Sequence, residues 1–511
     1  MKRKMLSRLM AASLAAIMTV GMAGCGDNGS SDSSAPSGSG SSDASTPSES
    51  GSSDASVDAS SEEGGEEGAA TVRIDPKTGE PFDLGGMEII IADWWSPETP
   101  DEPTTDFGEA QLEYQQWLQD TYNFKMVQKT YAGWGWGEGS IGEAFVQAAT
   151  SGTDQNIIWV LTNSAATAAD VNQGLMYDIT KLDGDVIDLS ASKWVDNGEM
   201  ENWTVNGAVY GFVPGRSEPR GGLYFNKTVL KDAGIDPETI YDMQANGTWT
   251  WDAWVDIMKQ VQRDTNNDGQ IDVYGCVQNN GGMVQMCYRS NGGNLVSKDE
   301  NGKYILTADS DAVKDGLHFA IDTVTNQYFL NYGNEDCSNW EEYKERFMNG
   351  EAAFMFDDAY CAYYPNGWLS IDERNVDFGY VMFPKGPNAT DYVTNVSNNV
   401  YALPASYDDE KARKLMFALD VWTDDVPGYA GYYGLKDQLY QGMRDTRSVD
   451  ETIEMMASRG VYDINSIIPN FDVNTNFLYS LGVGADVDAI LEQNLAAWQT
   501  AVDEFNASLG L

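Results

Sequence analysis

Short apolar runs alternate with helical patterns along most of this chain, and that alternation restricts its fold more than any single residue does. Met87 to Ala92, bounded by Gly85-Gly86 and Asp93, has the pattern of a buried strand. Helical spacing follows through Leu112 to Leu118, and Phe124 to Tyr131 alternates as a second strand. Ser140-Ile141-Gly142-Glu143 is a capping box that opens a helix stopping at Gly152, and the apolar run Ile157 to Leu161 comes next. Strands separated by helices predict parallel pairing, and hence an α/β domain.

The same handover recurs in Gly207 to Gly275. Runs at Val209 to Val213 and Leu223 to Phe225 lead into a helical pattern at Thr228 to Ala233, stopped by Gly234. Thr250 caps a second helix in which Trp251, Trp254, Val255, Met258 and Val261 recur at helical spacing, so its tryptophans read as core. The pattern continues at Phe347 to Phe356, Phe378 to Phe383, Val393 to Leu403 and Lys411 to Trp422, and Val487 to Leu509, with Trp498, reads as a final helix. No repeat of fixed period is visible.

The N-terminus has a different logic. Lys2, Arg3, Lys4 and Arg8 precede an apolar stretch from Leu9 to Gly21, which is too short for a span needing about 20 residues. Met22-Ala23-Gly24 then precede Cys25, the arrangement of a cleaved export signal (residues 1–24) whose cysteine is acylated, with Met22 in place of the usual Leu. Two acyl chains on Cys25 suffice for stable anchoring at about 0.8 kcal/mol per buried CH₂. Residues 25–70 form a tether: Gly26 to Ala70 holds ten acids and no Lys or Arg, and is otherwise almost all Ser, Gly and Ala. Such a segment cannot bury enough apolar surface to offset its ordering entropy, and its end-to-end distance is roughly 40 Å.

The remaining 440 or so residues exceed the size at which single cores split, so two domains are expected. A net charge of −48 repels phosphate backbones and anionic headgroups, which argues against nucleic acid as a partner and favours neutral or cationic ligands, with a local basic pocket still able to hold an anion. Beyond Cys25, Cys276, Cys287, Cys337 and Cys361 allow either two disulfides or buried free thiols.

Catalytic patterns are mostly missing. His318, the sole histidine, lies within the helical pattern Leu317 to Val324 and reads as a packed or surface residue. No G-x-S-x-G, H-E-x-x-H, C-x-x-C or phosphate-loop signature occurs, and Gly133 to Gly139 lacks both a lysine and the glycine register of a phosphate cradle. Acid pairs near Glu218, Asp357 and Asp358 are the remaining route to hydrolysis, but neighbouring carboxylates arise by chance among 79 acids, and no enzyme is expected. Aromatic residues point elsewhere. Sugars offer apolar faces and hydroxyl edges, which rings and carboxylates, amides or Arg complement. Trp94 and Trp95 follow the first strand at its C-terminal end, Trp134 and Trp136 occupy a Gly-rich loop, and Asn163 lies just past the strand ending at Leu161.

The order of these parts resembles extracellular solute-binding proteins of family 1, the carbohydrate-binding partners of ABC importers. The matching residues are Val209-Tyr210-Gly211, Pro214, Leu223 to Lys227, Ala233 to Pro237 and Asp264 to Gly275. Phe225 departs from the usual Tyr, and one extra residue precedes Pro214. Trp340 to Met355, Phe383 to Pro387 and Val400 to Pro404 add three similar landmarks.

The resemblance implies a two-lobe, periplasmic-binding-protein-like fold of class II with hinge crossings near Val213 to Gly222, Ala353 to Asp358 and Val396 to Leu403. Lobe I is then expected from residues 71–213 plus 352–396, and lobe II from 222–350 plus 400–511. It puts Arg216 and Arg220 at the first crossing and Asp357, Asp358 and Tyr360 after the second, as ligand contacts. It also implies a carbohydrate ligand, permease subunits in the membrane as partners and a monomer held outside the cytoplasmic membrane. A glycan-degrading surface enzyme and a glycan adhesin are the alternatives. No cofactor is required. Asp264, Asn266, Asp268, Gln270 and Asp272 have the spacing of a calcium loop, without the closing Glu of an EF-hand because Gly275 stands there. The resemblance allows structural calcium, and an Asn/Asp/Gly turn is the other reading.

Overall fold

The computed structural model describes residues 70–97, 103, 105–135, 137–162, 166, 174–218, 220–278, 281–330, 342–362, 369, 374–396, 398–474 and 476–511. Within them, two four-stranded sheets organise the compact unit that extends to Leu511. The predicted signal, tether and anchor Cys25 lie outside the described residues, as do Trp136, Asn163 and Cys337.

The first sheet contains β1 (Met87–Asp93), β2 (Phe124–Thr130), β3 (Asn156–Leu161) and, from far along the chain, β8 (Val400–Ala402). Helix α1 (Asp106–Tyr122) joins β1 to β2 and α2 (Ile141–Ser151) joins β2 to β3, so the three strands run parallel as the alternation predicts. Ser140 caps α2 by accepting from the Glu143 amide, while Glu143 accepts from the Gly139 amide, one residue before the cap, and the Ser140 amide goes to the Gly137 carbonyl instead of closing a reciprocal capping box. Side-chain alternation divides the faces. Ile89 and Ile91 pack with Leu118 and Tyr122 of α1 and with α3 (Asp409–Trp422), whereas Ala92 packs with Ile141, Phe145 and Ala148 of α2.

The second sheet is ordered β7 (Phe378–Met382), β4 (Gly221–Asn226), β6 (Ala352–Asp358), β5 (Tyr274–Gln278). All of β4 is buried, with no room at its start. A Cβ on Gly222 would sit 2.6 Å from the Tyr380 ring, and one on Gly221 would sit 2.4 Å from Asn395 Oδ1. In each sheet one strand runs against its neighbours: β4 pairs antiparallel with β6 and β7, and β8 antiparallel with β3. Both are the strands the chain enters on arriving from the other sheet.

Strand pairing corrects the expected lobe boundaries. Ala353 to Asp358 is no crossing, because β6 sits inside the second sheet between β4 and β5. Strands β6 and β7, expected in lobe I, therefore go with β4 and β5, while β8 and α3, expected in lobe II, go with β1 to β3. The chain passes between the sheets at 213–220 and at 396–399. A third passage, which the sequence reading missed, follows Trp422 and leads to the helix Leu435–Gly442 against 359–362 and 448–453. Apolar periodicity reports that a segment is a buried strand but says nothing of which sheet buries it.

The final helix α4 spans Val487–Leu509, as expected, between the Asp486 cap and left-handed Gly510. Trp251, Trp254 and Trp498 are buried core residues, also as expected. Cys276, Cys287 and Cys361 are buried free thiols, which removes the two-disulfide alternative. Among the described residues, no helix is long and apolar enough to cross a membrane.

Candidate functional site

Polar side chains and tyrosine rings gather where the chain passes between the sheets. Arg220, just before β4, is placed by its own backbone: its carbonyl accepts from the Ala359 amide (3.1 Å) and the Tyr380 hydroxyl (2.7 Å). Its guanidinium lies 5.4 Å from the centre of the Tyr360 ring and donates to Glu218 at 3.3 Å. The end of β6 supplies Asp357 and Asp358. Tyr343 donates to the Asp357 carboxylate at 2.7 Å, and Tyr224 donates to the Asp358 carbonyl at 2.9 Å. Burial raises both carboxyls. It takes Asp358 to about 7 against the opposing pull of Arg220, with Asp357 and Glu218 pushing it further up. A half-buried acid, a guanidinium and a ring face thus converge at one end of the two central strands, able to accept from and donate to hydroxyls while stacking on an apolar face.

Arg216 occupies the same passage on its other side. It donates to Glu454 and to the Gly431 carbonyl, each at 3.3 Å, and sits 5.4 Å from the Tyr433 ring. Arg216 and Ser217 also help to line a pocket of about 240 Å³ with Asn197 and Glu454.

Buried amides hold the passages together. Asn197 donates to the carbonyls of Val213 (2.7 Å) and Gly215 (2.8 Å) on the first passage. Asn398, on the second, donates to Ser217 Oγ (3.2 Å) and the Tyr462 hydroxyl (3.1 Å) and accepts from the Glu218 amide (3.1 Å). Beneath them Glu199, 1% exposed, accepts from Trp203 Nε1 at 3.2 Å, and burial lifts its carboxyl to about 7. Sequence reasoning missed Glu199, Asn398, Tyr433 and Tyr462, because scattered polar residues on separate elements carry no spacing signal.

The expected contacts fall into groups. Arg220, Asp357, Asp358 and Tyr360 come together, and Arg216 joins them through the passage. Trp94 and Trp95 form a T-shaped pair at 4.7 Å, each half-buried, Trp94 against the core on the α2 side and Trp95 against the α1 and α3 side. Asp93 fixes their turn by accepting from the Trp95 and Ser96 amides. Trp134 stands 72% exposed on its loop.

The predicted calcium loop closes on itself. Asp264 accepts from the amides of Asn267 (2.6 Å) and Gly269 (2.8 Å), Asn266 from Asp268, Asp268 from Gln270, and Asp272 from both the amide and the hydroxyl of Thr265. Among the described residues, no group of three or more His, Cys, Asp or Glu gathers as metal ligands do. The side-chain oxygens are used as turn acceptors.

Two sheets joined by reciprocal passages, with a polar and aromatic site at the join, define a two-lobe α/β binding protein. The family model described as bacterial extracellular solute-binding protein matches residues 137–427, more than half of the chain, and the chain belongs to that family. Solved structures share the fold. The ABC substrate-binding protein Lmo0181 from Listeria monocytogenes, in complex with cycloalternan, is 16% identical with a TM-score of 0.50, covering 83% of this chain and 100% of that one. The cyclic alpha-maltosyl-1,6-maltose binding protein from Arthrobacter globiformis is 15% identical with a TM-score of 0.53, covering 83% and 99%. UgpB from Mycobacterium tuberculosis, in complex with glycerophosphocholine, is 17% identical with a TM-score of 0.52, covering 82% and 99%. No curated protein matches this chain in sequence.

Proposed function

We propose that this protein is the lipid-anchored receptor of an ABC importer and captures a neutral oligosaccharide between its lobes without transforming it. The observation that carries the reading is the convergence of Arg220, Asp358 and Tyr360 beside the first passage. Closure about the passages would then enclose the ligand, as hinge-bending binders do. Two of the similar structures, whose names speak of cycloalternan and of a cyclic maltosyl-maltose, support a saccharide ligand. Cys25, with residues 26–70 as tether, supports a head held off the outer face of a membrane, where permease subunits would receive the sugar.

Calorimetric titration of the purified protein with short glucans and mannans tests this reading. Stoichiometric, saturable binding with no product is the expected result. Released product would make the protein an enzyme, and binding confined to long polymer would make it an adhesin.

A further inference from the structure

A second cavity, of about 1730 Å³, opens on the α1 side of the first sheet. Strand parity places it on the α1 face of the first sheet, and of the site side chains described above it shares Arg216 and Tyr433. Its wall includes Ile91 and Tyr401, whose side chains pack on the α1 and α3 face, whereas Ala92 and Trp94 pack on the α2 face. Arg220, Asp358 and Tyr360 do not line it. Lobe I contributes α1, residues 184–193 and the end of α3, and the roof comes from 214–216 and 426–435 on the first and third passages.

The chemistry of the wall is specific. Phe107 packs at 5.3 Å and 4.9 Å from the rings of Tyr429 and Tyr432, Tyr432 is 37% exposed, and Tyr114 and Trp422 add further rings. Gln111 and Gln115 also line the cavity, as does Gln128, whose amide nitrogen donates to Asp93 at 2.8 Å. The cations on the wall are already paired: Arg73 with Asp420 and Asp424, Lys193 with the same two acids at 2.7 and 2.6 Å, and Arg216 with Glu454. Asp188, Asp196 and Asp425 add further negative charge. Ring faces suit apolar C–H surfaces, amides suit hydroxyls, and the surplus of carboxylates repels an anion.

We propose that this cavity is a second binding site, on the α1 side of the passages, for a neutral polyhydroxylated ligand of saccharide type. It shares Arg216 and the passages with the receptor site but none of Arg220, Asp358 and Tyr360, and it goes beyond the receptor reading. The test is calorimetry on the full chain with maltotriose, mannotriose and sucrose in turn, together with hydrogen exchange at amides 107–115 and 428–435. Two binding events are expected with at least one sugar, one of them accompanied by protection of those amides. Phe107→Ala and the milder Gln115→Ala should each weaken that event by about tenfold and leave the other unchanged. Arg220→Ala should do the reverse. Across the three sugars, absence of a second event, or a second event with no protection of these amides and no response to either cavity variant, overturns the proposal. Failure of the receptor reading is seen separately, as an Arg220→Ala variant that binds like the parent protein.

Discussion

Tyr433 donates its hydroxyl to the carbonyl of Ser217 at 2.9 Å, tying the third passage between the sheets directly to the first. Both passages must move when the lobes move, so this bond lies on the path of any closure. Replacing Tyr433 with Phe keeps the ring beside Arg216 and removes one hydrogen bond. A loss of about 1 kcal/mol is expected, read as a lower urea midpoint with unchanged slope. An unchanged midpoint would show that water replaces the hydroxyl.

Arg220 and Asp358 should set affinity. Arg220→Ala removes a donor and the cation above Tyr360, and a loss of tenfold or more in sugar affinity is expected. Burial raises the Asp358 carboxyl to about 7, so on the proposed reading an anion that would accept a sugar hydroxyl is lost as pH falls through that value. Affinity should therefore be weaker at pH 5.5 than at pH 8.5, and Asp358→Asn should flatten the profile. A parent profile that is already flat would remove Asp358 from ligand contact.

Glu199 makes a prediction about stability. Its folded pKa is raised from 4.5 to about 7, so the folded state holds a proton that the unfolded chain has released. That contribution is fully present below pH 4.5 and is lost as pH rises through 7. Glu199→Gln, which mimics the protonated form, should match the parent at pH 4 and exceed it at pH 8 by up to about 3 kcal/mol. Urea unfolding at both values decides it, and equal gaps at the two would show that the carboxyl is not perturbed.

His318 behaves oppositely in charge and alike in direction. Its hydrogen bond to Asp322 at 2.8 Å raises its pKa, with Asp488 at 3.4 Å assisting. The stabilisation is present below the unfolded value of 6.5 and fades as pH passes the raised folded value. His318→Gln should cost stability at pH 5.5 and little at pH 8.5, the size being limited by the exposure of the pair.

The Asp264 carboxylate accepts from the amides of its own loop, which supports a turn that needs no ion. Added calcium and added chelator should both leave the melting temperature within about a degree. A rise of several degrees at millimolar calcium would show that the loop reorganises around a cation.

Much was legible in the linear chain because the signals are local. The parallel strands β1 to β3, the caps at Ser140 and Thr250, the final helix and the core tryptophans all follow from spacing that backbone geometry imposes within a few residues. The position of Arg216 and Arg220 on a passage was legible because that passage is adjacent to a motif.

Partnership between distant segments was another matter. Whether Ala352–Asp358 crosses between lobes or lies within one depends on pairing with Gly221–Asn226, over a hundred residues away, and an apolar strand reads the same in either sheet. The amide ring of Asn197 and Asn398, the buried Glu199 and the aromatic wall of Phe107 and Tyr432 likewise exist only once separate elements meet. Burial and electrostatic environment belong to the assembled packing, so only the folded chain decides which polar residues become a site.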